Sequence, residues 1–186
     1  MHLQTRRLTL RAATPALLRA EHAALSASTD TAHHPLATLL GVAMPEYWPP
    51  DLFEADDIER SLAVMKAHPE EIGWGLWYII QDATLLGMIG FEGPPPADGV
   101  VMLGYSVTEA ARSHGIATEA AGALAQWALK DPRVGAVAAE TFPSLLPSIR
   151  VLEKCGFARI GGARTPGAIR FELRRAMVRA VGLEPT

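Results

Sequence analysis

The sequence predicts a single α/β domain, with a mixed and mostly antiparallel sheet of about seven strands flanked by about four helices. Its length of 186 residues is that of one domain. Segments with the two-residue period of strands alternate with segments of helical period, in the order β-α-α-β-β-β-α-β-α-β-β. Three strand-like segments follow one another in the middle of the chain, which is typical of antiparallel neighbours.

The chain begins with a predicted strand and helix. In "RRLTLRAA", Leu8 and Leu10 alternate with polar neighbours, as in a half-buried strand. Thr14 and Pro15 then supply the cap and the first turn of a helix in "ALLRAEHAALSAS". Four prolines interrupt the chain from Thr29 to Asp51 and favour an irregular segment that suits a binding loop.

A second helix and three strands follow. Ile58, Leu62 and Met65 have helical spacing in "EADDIERSLAVMKAH", after an acidic first turn that suits a helix N-terminus. The segments "GWGLWYIIQ", "TLLGMIGFE" and "GVVMLGYSV" are rich in aromatic and β-branched residues. Because only "DA" and "GPPPADG" separate them, we expect three consecutive antiparallel strands.

Helices and strands alternate in the C-terminal half. We expect a helix from about Gly115 to Lys130, a strand in "VGAVAAET", a helix in "PSIRVLEKCG", and strands near "FARIGGA" and "AIRFELRR". No repeat or domain boundary stands out. Residues 1–175 are therefore expected to form one domain, followed by a loose C-terminal tail at 176–186.

Composition narrows the classes of partner and location. With 17 Lys and Arg against 20 Asp and Glu, the net charge of −3 gives no reason to expect nucleic-acid or anionic-membrane binding. The first residues are too charged for a signal peptide, and no run approaches the ~20 apolar residues of a membrane span. The chain is expected to be soluble and cytoplasmic.

The cysteine and histidines carry no metal or redox signature. Cys155 has no second cysteine to pair with, and its apolar neighbours indicate a packed thiol rather than a nucleophile. His22, His33 and His34 show no recurring spacing with cysteine or carboxylates, which favours loop or exposed histidines. We expect no metal.

The stretch "ARSHGIATEA" precedes a predicted helix and is a candidate anion site. Gly115 and Ala117 would let a ligand approach the unpaired amides of the helix N-terminus, and Arg112 could add a charge-assisted bond. The alternative is an ordinary turn glycine. Neither G-x-x-x-x-G-K-[ST] nor G-x-G-x-x-G occurs between a strand and a helix, so the P-loop and Rossmann signatures are absent.

A second motif further along the chain supports a ligand-binding role for "ARSHGIATEA". Arg112, Gly115 and Ala117 match the pattern [QR]-x-x-G-x-[GA], and "AETFPSLLPSIRVLEKCGF" follows about thirty residues later. Together they resemble the GNAT acyltransferases, in particular the RimJ/RimL type of ribosomal-protein alanine and serine N-acetyltransferases. The similarity extends from Thr5 to Leu173. It implies the GNAT fold, with a V-shaped opening between two central strands.

The resemblance also implies acetyl-CoA as co-substrate. Backbone groups around Ser106 and Val107 would pair with the pantetheine amides, and a pyrophosphate cradle would follow them. The residues expected at the cradle are Arg112, Ser113, His114, Gly115, Ile116, Ala117 and Thr118.

The acid–base residues implied by the resemblance leave alternatives open. Met102 occupies the place of the base in histone-acetylating relatives and cannot take a proton. Glu140 matches the glutamate that serves as the base in the alanine enzyme, and Glu92 or water is the alternative base. The non-catalytic interpretation of Glu140 is a carboxylate that is simply solvated at the end of a strand. The tyrosine that acts as the acid in the alanine enzyme is replaced here by Leu152. Ser148 matches the serine that has this role in the serine enzyme. Ser148 could also contact the cofactor, or it could merely cap a helix.

Other positions concern binding. Leu145 stands where the second motif usually has asparagine, which puts one polar contact to coenzyme A in doubt. Tyr47 and Trp48 could line the acceptor pocket or pack beneath the proline-rich segment. Arg150 and Lys154 could contact coenzyme A phosphates or form a solvated helix face.

The predicted function is direct transfer of an acetyl group from acetyl-CoA to a primary amine, either a protein N-terminus or a small molecule. The alternative is a non-catalytic module that binds coenzyme A, because Met102, Leu145 and Leu152 depart from the catalytic patterns. The sequence does not choose the acceptor. A homodimer is compatible with the resemblance.

Overall fold

In the computed structural model, residues 1–26, 31–51, 53 and 55–175 are described. The strands in these residues are β1 (His2–Gln4), β2 (Thr9–Ala12), β3 (Leu76–Gln81), β4 (Thr84–Phe91), β5 (Val100–Val107), β6 (Ala136–Thr141), β7 (Ala158–Ile160) and β8 (Ile169–Arg174). The helices are α1 (Pro15–Ser26), α2 (Pro35–Leu40), α3 (Ala55–Ala67), α4 (Ile116–Lys130) and α5 (Leu146–Lys154). The predicted tail at 176–186 lies outside the described residues.

The strands form one sheet in the order β1-β2-β3-β4-β5-β6-β8-β7. β5 and β6 are parallel, and the other neighbouring strands of this sheet are antiparallel. The predicted class, a mixed and mostly antiparallel α/β fold, is therefore confirmed. The prediction that β3, β4 and β5 are consecutive antiparallel neighbours is confirmed as well.

Of two predictions about the N-terminal third, one is confirmed and one was wrong. The strand predicted in "RRLTLRAA" is β2, and β1, which was not predicted, pairs with it across a turn in which Thr5 N donates to Leu8 O at 2.9 Å. The segment from Thr29 to Asp51 was expected to be irregular, yet α2 lies within it. Pro35 begins α2 instead of breaking it, because proline is tolerated in the first turn of a helix.

The sheet is buried on both faces. In β3, Trp77 and Ile79 pack in the core beneath α4, while Tyr78 and Ile80 pack in the core beneath α1, α2 and α3. This arrangement explains why β3 has an unbroken apolar run rather than an alternating pattern. A row of alanines and one leucine on α4 lets that helix approach the sheet closely, at Ala120, Ala121, Leu124, Ala125 and Ala128.

The sheet opens between its two parallel strands. β5 pairs with β6 only from Val100↔Ala136 to Met102↔Ala138. Beyond Met102, β5 continues to pair with β4 as far as Val107↔Gly87. The edge of β5 that faces β6 is thus open over residues 103–107, and the predicted V-shaped opening is confirmed.

A buried carboxyl group joins α1 to the segment before α3. The side chain of Glu21 is fully buried. Its Oε1 accepts a hydrogen bond from Trp48 Nε1 at 2.6 Å, and its Oε2 accepts one from Tyr78 Oη at 3.1 Å. Burial raises the pKa of Glu21 from its ordinary 4.5 to about 7, because few other groups solvate the charge.

We expect Glu21→Gln to remove a pH dependence of stability. Because the folded-state pKa is raised, the contribution of the protonated Glu21 is complete below pH 4.5 and is lost as the pH rises through 7. Between pH 4.5 and 7 the free energy of unfolding of the wild type should fall by about 1–3 kcal/mol relative to that of the variant. The glutamine of the variant still offers Trp48 a hydrogen-bond acceptor. Urea unfolding of both proteins across this pH range measures the difference.

His34 is common to both proteins and cancels in this comparison, although burial lowers its pKa. Parallel stability curves for the wild type and the variant would contradict the prediction, since they would mean that Glu21 titrates alike in the folded and unfolded chains.

Candidate active site

A cavity of about 500 Å³ lies at the open end of the splay between β5 and β6. Its walls come from the ends of β4 and β6, from β5, from α3 and α5, and from the loop between β7 and β8. Three predicted catalytic residues, Glu92, Glu140 and Ser148, line it together. They come from separate elements, so the fold gathers them in one place.

Glu140, at the end of β6, is bound by the loop between β7 and β8. Its Oε1 accepts a hydrogen bond from Arg164 N at 2.7 Å, and its Oε2 accepts one from Thr165 N at 3.0 Å. The side chain is only 10% exposed, which does not fit a solvated strand-end carboxylate. Burial alone would raise the pKa of Glu140, but the hydrogen bonds from the Arg164 and Thr165 amides lower it below its ordinary value.

Glu92, just beyond β4, faces the same loop but is more accessible. Arg164 Nη2 lies 2.8 Å from Glu92 Oε1 and 2.9 Å from Oε2. The Glu92 side chain is 51% exposed, against 10% for Glu140. Arg164 Nε also lies 3.9 Å from Glu140 Oε1, so one guanidinium stands between the two carboxylates.

Ser148, in the first turns of α5, contacts a side chain across the splay. Tyr105 Oη, from β5, lies 3.1 Å from Ser148 Oγ and donates to Ser148 O at 3.2 Å. Leu152, one turn further along α5, lines the cavity with an apolar side chain. Met102 also lines the cavity, as a thioether that takes no proton.

Sequence reasoning did not single out Tyr105 or Arg164. Tyr105 stands in a strand whose pattern reports only burial and pairing. Arg164 lies 24 residues from Glu140 and 72 from Glu92 along the chain, in a loop with no motif. Only the folded sheet brings these groups together.

The predicted pyrophosphate cradle has the backbone of a helix start. Gly115, with φ +76°, is the N-cap of α4, and Ser113 also has a positive φ of 63°. The Glu119 N–H bonds to Gly115 O at 3.0 Å, so the amides of residues 116–118 belong to the first turn that an anion can use. Arg7 approaches from the N-terminal turn, where its Nη1 donates to His114 O at 3.1 Å.

The side chains of two predicted cofactor residues contact Asp51. Arg112 Nη2 lies 2.5 Å from Asp51 Oδ2, and Ser106 Oγ donates to Asp51 O at 2.6 Å. The segment before α3 therefore reaches the end of β5 and the start of the cradle. Val107, beside Ser106, is the last residue of β5.

The space along the open edge of β5 fits a narrow ligand. A Cβ built on Gly104, which lines the cavity, would meet no atom within 4 Å. The unpaired edge of β5 on one side and the helix start at Gly115 on the other are the features that a pantetheine arm and a pyrophosphate require. The residues present are thus compatible with acetyl-CoA.

The remaining predicted positions lie outside the cavity. Tyr47 is 74% exposed, and Trp48 is turned toward Glu21, so neither residue lines it. Arg150 and Lys154 are exposed on α5. Cys155 Sγ donates to Thr118 O at 3.3 Å, and burial raises the pKa of Cys155 to about 11, as for a packed thiol.

The described residues contain no group of three or more His, Cys, Asp or Glu side chains that could hold a metal ion. None of the helices in this part of the chain is long and apolar enough to cross a membrane.

The chain is similar in sequence and in fold to known acetyltransferases. The family model "Acetyltransferase (GNAT) domain" matches residues 7–158. The uncharacterized N-acetyltransferase YjdG of Bacillus subtilis (strain 168) is 31% identical over 121 residues, which cover 63% of this chain and 71% of that protein.

Solved structures show the same fold at lower identity. RimL, a ribosomal L7/L12 alpha-N-protein acetyltransferase in complex with coenzyme A, has a TM-score of 0.64 and 15% identity, over 94% of this chain and 98% of that one. The aminoglycoside acetyltransferase AAC(6')-Ib in complex with coenzyme A has a TM-score of 0.61 and 19% identity, over 94% and 99%.

Proposed function

The chain belongs to the acetyltransferase (GNAT) family, and on that premise we propose that it transfers the acetyl group of acetyl-CoA directly to a primary amine. The observation that carries this proposal is the cavity at the splay, where Glu92, Glu140 and Ser148 meet. Two proteins of similar fold were solved with coenzyme A, which supports the choice of acetyl donor.

The proposed donor site follows β5 and the start of α4. The backbone of Ser106 and Val107 would pair with the pantetheine amides, and the amides of residues 113–118 would bind the pyrophosphate. Arg112 would add its charge after leaving Asp51, with which it is paired in this structure. Gly104 leaves the width that the arm needs.

We assign the proton-accepting role to Glu92 and a loop-holding role to Glu140. Both oxygens of Glu140 accept backbone amides and its pKa is lowered, so it is a weak base. Glu92 is half exposed, lines the cavity, and is bound only on the side of Arg164 in the contacts described above. It can take the proton of the incoming amine directly or through one water molecule.

In the transfer step, the neutral amine nitrogen forms a bond to the acetyl carbon, and the carbon–sulfur bond breaks with its electron pair going to sulfur. The proton of the amine passes to Glu92. Ser148 lines the same cavity and offers its hydroxyl to the sulfur. Acetyl-CoA supplies the activated acetyl group, and the chain supplies orientation, a base and a hydrogen-bond donor.

The proposed acceptor is a primary amine of a protein N-terminus or of a small molecule. One relative of similar fold is named as an alpha-N-protein acetyltransferase and the other as an aminoglycoside acetyltransferase, so both kinds of amine are represented. Membership of the RimJ/RimL group, a cytoplasmic location and a homodimer belong to the same proposal.

A thiol-release assay tests the proposed function. Purified protein is mixed with acetyl-CoA and a panel of N-terminal peptides, aminoglycosides, polyamines and amino acids, and free thiol is followed over time. We expect turnover with at least one class of amine, and saturable binding of acetyl-CoA by calorimetry. Binding without turnover across the panel would overturn catalysis in favour of a coenzyme A-binding module, and absence of binding would overturn both.

A further inference from the structure

Two of the hydroxyl groups that line the cavity, those of Tyr105 and Ser148, form a pair. Tyr105 reaches across the splay from β5, and its Oη lies 3.1 Å from Ser148 Oγ and 3.2 Å from Ser148 O. The contact joins β5 to α5, between residues 43 positions apart, beyond the last pair that β5 makes with β6. Both residues line the cavity, so the pair borders the space proposed for the thioester.

The protons of this pair can be arranged in two ways. A tyrosine hydroxyl and a serine hydroxyl each carry one proton and can each accept a hydrogen bond. When Tyr105 donates to Ser148 O, the Ser148 hydroxyl is free to donate back to Tyr105. When Tyr105 donates to Ser148 Oγ instead, the O–H of Ser148 is not needed for this contact and can point into the cavity. In this second arrangement Ser148 can donate a hydrogen bond to a ligand in the cavity.

Tyr105 stays protonated in this position. Burial raises the pKa of Tyr105 to about 12, and the Ser148 contact only partly offsets that effect. The phenol is therefore protonated at neutral pH and can act there as a hydrogen-bond donor. Because Leu152 is apolar, α5 offers this wall of the cavity no hydroxyl apart from Ser148 among its described lining residues.

We propose that Tyr105 and Ser148 form a hydrogen-bond donor chain to the leaving sulfur, with Tyr105 as a positioning residue that acts through Ser148. This inference rests on the proposed acetyl transfer. As the carbon–sulfur bond breaks, the electron pair moves to sulfur and the Ser148 hydroxyl donates to it. Tyr105 donates to Ser148 Oγ at the same time and increases its strength as a donor, since hydrogen bonds in a chain polarise one another. Neither hydroxyl gives up its proton in this step.

A double-mutant cycle tests the chain. We expect Ser148→Ala to lower kcat by about 100-fold and Tyr105→Phe by about 10-fold, with little change in KM for acetyl-CoA. In Ser148→Ala the backbone carbonyl that Tyr105 contacts is still present. A purely structural phenol would therefore add its full effect to the double variant, whereas the donor chain predicts that Tyr105→Phe has almost no effect once Ser148 is alanine.

The thiol of bound coenzyme A gives a readout that does not depend on turnover. The pKa of that thiol is followed by the ultraviolet absorbance of the thiolate in the complex, with the desulfo-CoA complex as blank. A donor chain stabilises the thiolate and so lowers the pKa of the thiol. Because each variant removes part of this stabilisation, the thiol pKa should rise by about one pH unit in Tyr105→Phe and by at least as much in Ser148→Ala. An unchanged thiol pKa in both variants would overturn the inference.

Tyr78→Phe is the matched control. It removes the hydroxyl of another buried tyrosine, which contacts Glu21 away from the cavity. We expect it to change stability while leaving kcat and the thiol pKa as in the wild type. If the wild type turns over and binds coenzyme A but the two effects above are absent, the donor chain fails and the proposed function stands. If the wild type does neither, the proposed function itself fails.

Discussion

Glu92→Gln is expected to lower kcat by about 100-fold, with KM for acetyl-CoA within about twofold of the wild type. Glutamine keeps the size of the side chain and can still contact Arg164, but it cannot take a proton. Because Glu92 lies on the wall of the cavity beyond β4, away from the proposed cradle at Gly115, donor binding should be spared. Steady-state kinetics with the acceptor found in the panel measures both quantities.

Glu140→Gln is the informative comparison. Its carboxylate accepts two backbone amides, and a glutamine would present an NH2 group to one of them. We expect a lower melting temperature and a smaller loss of kcat than in Glu92→Gln, because the loop that carries Arg164 would be held less firmly. Full activity in Glu92→Gln with complete loss in Glu140→Gln would reverse the two assignments.

Gly90→Ala should lower the free energy of unfolding by about 3 kcal/mol or more. A Cβ at Gly90 would lie 2.5 Å from Gly75 O and 2.9 Å from Leu76 Cα. Both are backbone atoms next to or within β3, so the strands themselves would have to separate. Urea unfolding of the purified variant, or its absence from the soluble fraction on expression, measures this effect.

Gly104→Ala provides the control, because Gly104 is the register partner of Gly90 on β5. A Cβ there meets no atom within 4 Å, so we expect a change in unfolding free energy within about 0.5 kcal/mol. The new methyl group would instead occupy the proposed path of the pantetheine arm and raise KM for acetyl-CoA. Equal destabilisation by the two substitutions, or unchanged acetyl-CoA binding in Gly104→Ala, would contradict these predictions.

Local patterns were sufficient to predict most elements of the fold. Burial on both faces makes β3 an unbroken apolar run, and the alanine-rich row of α4 has a clear helical period. The error over residues 35–40 came from a residue whose local preference has two outcomes. Pro35 can interrupt a helix or begin one, and only its position relative to the capping side chain of His34 decides between them.

The site was predicted in part, because its residues carry different kinds of signal. Glu92, Glu140 and Ser148 stand at strand ends and at a helix start, where a motif can place them. Tyr105 and Arg164 are defined by the atoms they meet across the sheet, at separations of 43 and 72 residues. No short window of sequence reports such a contact. The contact between Asp51 and Arg112 could not be predicted for the same reason, since 61 residues separate them along the chain.

That contact of Asp51 bears on the order in which ligands arrive. A phosphate that binds Arg112 would replace the Asp51 carboxylate, and Phe53, two residues after Asp51, lines the cavity. Both side chains of the ion pair are largely exposed, so breaking it costs about 1 kcal/mol or less. The acetyl donor would thus alter the wall of the cavity near Phe53 as it binds, and we expect ordered kinetics in which acetyl-CoA binds first and coenzyme A leaves last.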